Sequence, residues 1–299
     1  MSKDAAAPSI RTVGLVARDD LHAAAAVLAE AFEWLERRGI EVLFDEQTAA
    51  LVRRPAGSGV PKDELPRRVD LIVVLGGDGT LLGMADRIAK ADADVPIMGV
   101  NFGSLGFLTE IPLEDLYPAL ENVLDGSAHV DRRLMLRARV LREETLRADH
   151  RVLNDVVVNR GPGSPIIDLS VSVDGVFVTR VRADGVIVAS PTGSTAYSLS
   201  CGGPILHPEA DAVVLTPIAP HTLTNRPVVI PATAEIRIQP SLGRAGDEVV
   251  ASFDGQESVR LAHGDIVSVR AAAKPLRLVR SARRTYFEVL RQKLKWGER

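Results

Sequence analysis

The stretch Leu71-Ile72-Val73-Val74-Leu75 is apolar without alternation, and it stops abruptly at Gly76-Gly77-Asp78-Gly79-Thr80. A strand with apolar side chains on both faces must be covered on both faces, which is the situation of a parallel sheet flanked by helices. The apolar pattern resumes at Leu81 and Leu82. The glycine-rich turn therefore leads from a buried strand over residues 69–75 into a helix expected over residues 80–90.

Strand and helix alternate around this point. Residues 10–16 suit a strand. Asp19 or Asp20 is placed to cap a helix running to Arg38 and stopping at Gly39, with Leu21, Leu28, Phe32 and Leu35 near one face. A second strand is expected over 40–44 and another over 96–100, while 53–68, rich in Pro, Gly and charge, reads as a mobile loop. The expectation is an α/β N-terminal domain with a parallel sheet, residues 1–130, carrying the GGDGT loop. From about Arg132 the pattern changes to short β-rich runs, among them "LMLRARVL", "VLNDVVV", "IIDLSVSV", "VIVAS" and "EVVASF", with Asp174-Gly175 as a hairpin turn. Residues 131–275 are thus expected to form a β-rich, sandwich-like C-terminal domain. The segment 276–299 returns to helix with Phe287, Leu290 and Leu294 on one face, and is expected to pack on the first domain.

A chain of 299 residues has room for these two domains. A net charge of −3 provides no broad basic field, so no nucleic-acid partner is expected. The single cysteine, Cys201, excludes an internal disulfide and fits a reducing cytoplasm. "MSKDAAAPS" lacks the apolar core of a secretory signal. Residues 186–208 carry no Asp, Glu, Lys or Arg, but their many Pro, Gly, Ser and Thr residues argue for pocket and turn, not for a membrane span. A cytoplasmic protein without a membrane partner is expected.

The turn itself carries chemistry. In parallel α/β sheets ligands bind beyond the carboxyl ends of the strands. Gly76, Gly77, Gly79 and Thr80 there suit a phosphate-donor loop: glycine permits positive φ and close backbone approach, and a helix N-terminus favours anions. Asp78 would repel a phosphate. It makes sense facing a hydroxyl as a base, or a metal through water, as phosphoryl transfer to an alcohol requires. The spacing is not a dinucleotide fingerprint, since Leu82 stands where a third glycine belongs, and no lysine follows the loop as in a Walker A site.

"GGDGT" resembles the signature of a kinase superfamily containing NAD kinases and the diacylglycerol and sphingosine lipid kinases. "DGVIVASPTGSTAYSLSCGGPI" at 184–205, "LNDVVV" at 153–158 and "NFGSLGFL" at 101–108 resemble, in order, elements of the NAD kinase family. That resemblance implies transfer of a phosphoryl group from ATP or polyphosphate to the 2′-hydroxyl of the adenosine ribose of NAD, with a divalent metal, Mg²⁺, as cofactor. It implies Asp78 as proton acceptor and Gly79 as an NAD contact. Asn154 and Asp155 would hold the adenosine, the carboxylate accepting from ribose hydroxyls and the amide bonding a base edge. Thr195, Ala196, Tyr197, Ser198, Leu199 and Ser200 would line the nucleotide, with Tyr197 able to stack on a ring. Arg182, Asp184 and Gln256 match further contacts, and a homodimer or homotetramer is implied. Alternatives are a lipid kinase of the same superfamily and a non-catalytic NAD-binding sensor. His207, His221 and His263 show no metal-ligand spacing, and Ser190, Ser194 and Ser198 lack the partners of a hydrolase triad.

Overall fold

The computed structural model describes residues 10–18, 20–222, 224–242 and 248–297. The chain divides into two compact units, Met1–Arg132 with Leu276–Arg299, and Arg133–Pro275. In chain order the first unit contains β1 (Thr12–Ala17), α1 (Ala24–Glu36), β2 (Glu41–Phe44), α2 (Glu46–Leu51), β3 (Leu71–Gly76), α3 (Asp78–Lys90), β4 (Ile97–Asn101), β5 (Ile111–Pro112), α4 (Leu116–Leu124) and β6 (Val130–Arg133). Then come β7 (Leu136–Arg142), β8 (Thr145–Val152), β9 (Asp155–Arg160), β10 (Ile167–Val173), β11 (Val176–Ala183), β12 (Gly185–Ala189) and the short helix α5 (Tyr197–Ser200). The second unit continues with β13 (Ala212–Ile218), β14 (Val228–Pro231), β15 (Ile236–Ser241), β16 (Val249–Phe253), β17 (Glu257–Leu261) and β18 (Asp265–Ala271). The chain re-enters the first unit as β19 (Leu276–Val279) and α6 (Tyr286–Leu294).

The first unit is built on one sheet in the order β2-β1-β3-β4-β19-β6, with β5 beside β4. The pairs from β2 through β19, and β4 with β5, are parallel. All six residues of β3 are buried, as its unbroken apolar run requires. Leu71, Val73 and Leu75 join Leu28, Leu35, Leu116 and Leu120 in one core cluster. On the opposite face Val74 lies beside Gly99, and a Cβ at Gly99 would overlap Leu81, so this glycine admits α3 onto the sheet.

Several expectations shift here. Helix α1 starts at Ala24 with Ala23 as its cap residue. Asp20 does not cap it, because its carboxylate accepts from Arg18 Nε at 2.6 Å; Asp19 lies outside the described residues. Gly39 does stop the helix, with φ of 74°. Residues 53–68 are anchored and do not hang free: Val60 donates to Phe44 O at 2.8 Å, and buried Leu65 packs against Gly14. The C-terminal segment enters as a strand before its helix. Arg280, 10% exposed, bonds the buried carboxylates of Glu110 and Asp131 and fixes β19 in the sheet. In α6 the buried residues are Val289 and Leu290, whereas Phe287 is exposed.

The second unit holds two six-stranded sheets, β11-β10-β15-β18-β7-β8 and β14-β13-β12-β9-β16-β17. Every strand pair recorded in them is antiparallel. Alternating side chains of both sheets, such as Leu136, Ala138 and Val140 against Val156, Val158, Val186 and Val188, form one core. This is the expected sandwich. On the outer face of the second sheet Val157, Ile187 and Ala189 form a smaller cluster with Cys201, placing the α5 segment over β9 and β12.

Candidate active site

In the first unit the helix takes over from the strand earlier than the glycines suggest. Gly77 is the cap residue and Asp78 the first residue of α3. None of Gly76, Gly77 and Gly79 has positive φ, contrary to expectation. What Gly77 and Gly79 provide is room: a Cβ at either would meet nothing within 4 Å. Thr80 closes the turn, its N–H donating to Gly77 O at 3.1 Å.

The Asp78 carboxylate already has partners. Oδ2 accepts from Phe107 N at 2.8 Å. Oδ1 accepts from Leu108 N at 3.1 Å, Thr109 N at 2.9 Å and Thr109 Oγ1 at 2.9 Å. Asp78 thus ties the "NFGSLGFLT" loop to the start of α3, and the N-terminal end of that helix suits a carboxylate. Oδ1 is saturated; Oδ2 has spare acceptor capacity. Gly106 makes the contact possible, since a Cβ there would overlap Asp78 Oδ1. Asn101 shapes the same loop by accepting from Gly103 N at 2.6 Å. Gly106 and Thr109 carry no separate signal in the sequence, although "LGFLT" overlaps the "NFGSLGFL" element.

In the second unit the Asn154-Asp155 pair is not in the interior of a strand: Asn154 lies between β8 and β9, and Asp155 is the first residue of β9. They form the corner where the chain leaves β8 in one sheet and enters β9 in the other. Here the backbone amides turn away from both ladders. Leu153 N donates to Asp254 Oδ2 at 2.7 Å, and Asn154 N and Asp155 N donate to Asp254 Oδ1 at 2.8 and 2.9 Å. Gly193 packs so closely on Asn154 that a Cβ would overlap its carbonyl, and Ser190 N donates to Asn154 O at 2.8 Å. The 190–201 segment is therefore folded directly onto the Asn154-Asp155 corner.

Asp155 is 6% exposed, and its carboxylate has no hydrogen-bond partner among the described residues. Burial pushes its pKa up to about 7, and the Asp254 charge adds to the effect. Burial also raises the Tyr197 phenol, followed by Cys201 with its hydrogen bond and then the charges of Asp155 and Asp184. The Cys201 thiol is raised by burial, opposed by the Tyr197 hydrogen bond.

The other expected residues divide. Thr195 and Ala196 are half-buried, Tyr197 is 45% exposed and Ser200 is exposed. Ser198 is fully buried, bonded to Thr216 Oγ1 at 2.8 Å, and supports the fold of the segment. Leu199 is half-buried. Gln256 is exposed on the β16–β17 turn that carries Asp254. Arg182 and Asp184 are not gathered with this corner. Asp155 pairs with Ala189 at one end of β12, while Asp184 precedes Gly185 at the other, more than ~13 Å along the strand. Asp184 is held there by Arg160 Nε at 2.6 Å. Asp254, two residues before Gln256, carries no expectation in the sequence.

The first unit carries a glycine-acid-glycine turn between a buried strand and a helix, and the second an antiparallel sandwich with a buried carboxylate. Residues 13–128 match the ATP-NAD kinase N-terminal domain, and residues 153–281 the ATP-NAD kinase C-terminal domain. The chain belongs to the NAD kinase family. It is 50% identical to the NAD kinase of Citrifermentans bemidjiense, over 92% of this chain and 95% of that one. It is 45% identical to that of Solibacter usitatus, over 98% of this chain and all of the other. Among solved structures, yeast NADH kinase complexed with NADH superposes with a TM-score of 0.87 at 26% identity, covering 97% of this chain and 89% of that one. An NAD kinase from Archaeoglobus fulgidus in complex with ATP gives 0.73 at 28% identity, covering 94% and 99%.

Proposed function

We propose that this chain is an NAD kinase that transfers the terminal phosphoryl group of ATP to the 2′-hydroxyl of the adenosine ribose of NAD. Family membership over nearly the whole chain supports the activity. One observation carries the substrate assignment: a buried carboxylate with no hydrogen-bond partner among the described residues, Asp155, at a corner covered by a glycine- and hydroxyl-rich segment. Such a group suits ribose hydroxyls, which donate to it, with Asn154 beside it for a base edge. Ala196 and Tyr197 supply a flat approach for a ring.

The first unit supplies the transfer chemistry. Asp78 Oδ2 orients the acceptor hydroxyl. Its oxygen attacks the terminal phosphorus, the bond from phosphorus to the ADP oxygen breaks, and the hydroxyl proton passes to Asp78. The loop amides that hold Oδ1 fix the direction of this carboxylate. No group of three or more His, Cys, Asp or Glu suited to a metal occurs among the described residues. Mg²⁺ would be held mainly by the donor phosphates, with the Asp78 carboxylate reaching it through water, and would supply charge neutralisation.

A cytoplasmic setting and a homo-oligomer belong to the same proposal. The lone half-buried cysteine supports the first. Among the described residues no helix is long and apolar enough to cross a membrane. Exposed Val176, Phe177 and Val178 on edge strand β11, with Val228 and Val229 on edge strand β14, support self-association. The test is an activity matrix of ATP and polyphosphate against NAD, NADH and diacylglycerol. NADP from ATP and NAD is expected; phosphorylated diacylglycerol, or binding of NAD without turnover, would sink the proposal.

A further inference from the structure

Asp254 lies in the turn between β16 and β17 and has no part in the recognition or transfer described above. Its φ of 50° is a left-handed conformation that Asp and Asn tolerate better than most residues. From there its carboxylate collects three successive amides, those of Leu153, Asn154 and Asp155. Its own N–H donates back to Asp155 O at 3.0 Å. These amides fall where the chain passes between sheets, so neither ladder receives them, and an anion at the centre of the curl satisfies all three. Gly193 and Ser190 clamp Asn154 from the other side.

We propose that Asp254 is a positioning residue: by gripping the backbone of 153–155 it sets how Asn154 and Asp155 present their side chains, and through them the affinity for NAD. This rests on the reading of Asn154 and Asp155 as NAD contacts. Asp254 also acts by charge. Among the described residues the groups acting electrostatically with Asp155 are Asp254 from the β16–β17 turn and Tyr197 and Cys201 from the α5 segment, and Asp254 is the charged one that disfavours ionisation of Asp155.

Asp254→Asn separates this from a purely structural role. The amide keeps the turn and one acceptor oxygen, but its nitrogen meets a donor at Leu153 N. The Michaelis constant for NAD is expected to rise ~10-fold or more, the change in kcat to be smaller, and that for ATP to stay within about twofold. In the wild type NAD should bind more weakly as pH falls through about 7, the value of Asp155. In Asp254→Asn that midpoint should move to lower pH, because a repelling charge is gone. Asp254→Gly keeps the positive φ, removes all three acceptors, and should show the larger loss in the same pattern. Wild-type NAD affinity and midpoint in either folded variant would overturn the proposal. So would equal losses for NAD and ATP, or failure of both variants to fold, which would mark Asp254 as structural only. A wild type that binds no NAD would instead bring down the reading of Asn154 and Asp155, and this proposal with it.

Discussion

At the scale of single residues, the proposed function rests on two aspartates, and their surroundings differ. Asp78 is bound by four donors, so Asp78→Asn does more than remove a base. Placed over Oδ2, the amide nitrogen faces the N–H of Phe107. Leaving that donor unmet costs about 1–3 kcal/mol of stability, and turnover should fall roughly 10²- to 10⁴-fold through loss of the proton acceptor. Thermal melts and steady-state kinetics on one preparation check both; wild-type turnover would remove Asp78 from the chemistry. Asp155 is the opposite case. Its pKa is raised from 3.8 to about 7, so it favours the native state most at low pH, where it is protonated in both states. That contribution is lost as pH rises from about 4, where the unfolded chain ionises, to about 7, and is on the order of 4 kcal/mol. Asp155→Asn should therefore gain stability relative to wild type over that interval in urea titrations. A pH-independent difference would contradict the raised value.

At the scale of elements, each unit has a close approach that a glycine permits, Gly106 on Asp78 in the first and Gly193 on Asn154 in the second. A Cβ on Gly193 would overlap the Asn154 carbonyl, which is backbone and cannot swing aside. Gly193→Ala should lift the 190–201 segment off its corner and weaken NAD binding ~10-fold or more, in line with losing a charge-assisted hydrogen bond; calorimetry showing unchanged affinity would refute the packing argument. The sequence reveals such elements unevenly. β3 is legible because both of its faces are buried, and the second unit's core strands because they alternate. β8 and β17 carry largely polar side chains that are exposed or half-buried without alternation and give no periodic signal. α2 spans only six residues, too short for its pattern to emerge. The Asn154-Asp155 pair is visible as polar residues among β-formers, but the corner is not. Its cause, Asp254, lies about a hundred positions away, and spacing cannot encode a contact of that length.

At the scale of the whole molecule, the C-terminal segment is part of the first unit's framework. Its strand lies between β4 and β6, and Arg280 is buried against two acids. Removing one partner leaves uncompensated buried charge, so Arg280→Met should cost about 3–5 kcal/mol; a melting point equal to wild type would show the network to be idle. That strand was missed in sequence because "LRLV" is only four residues long and belongs to a sheet nearly two hundred positions back. The claim binding these scales together is that the chain phosphorylates one particular hydroxyl of NAD. The most direct measurement is phosphorus and proton NMR of the product formed by the purified protein from NAD and ATP-Mg²⁺. The account predicts one new phosphomonoester, on the 2′-oxygen of the adenosine ribose, and none from Asp78→Asn on the same time scale. A phosphate at any other position, or equal product from that variant, would contradict it.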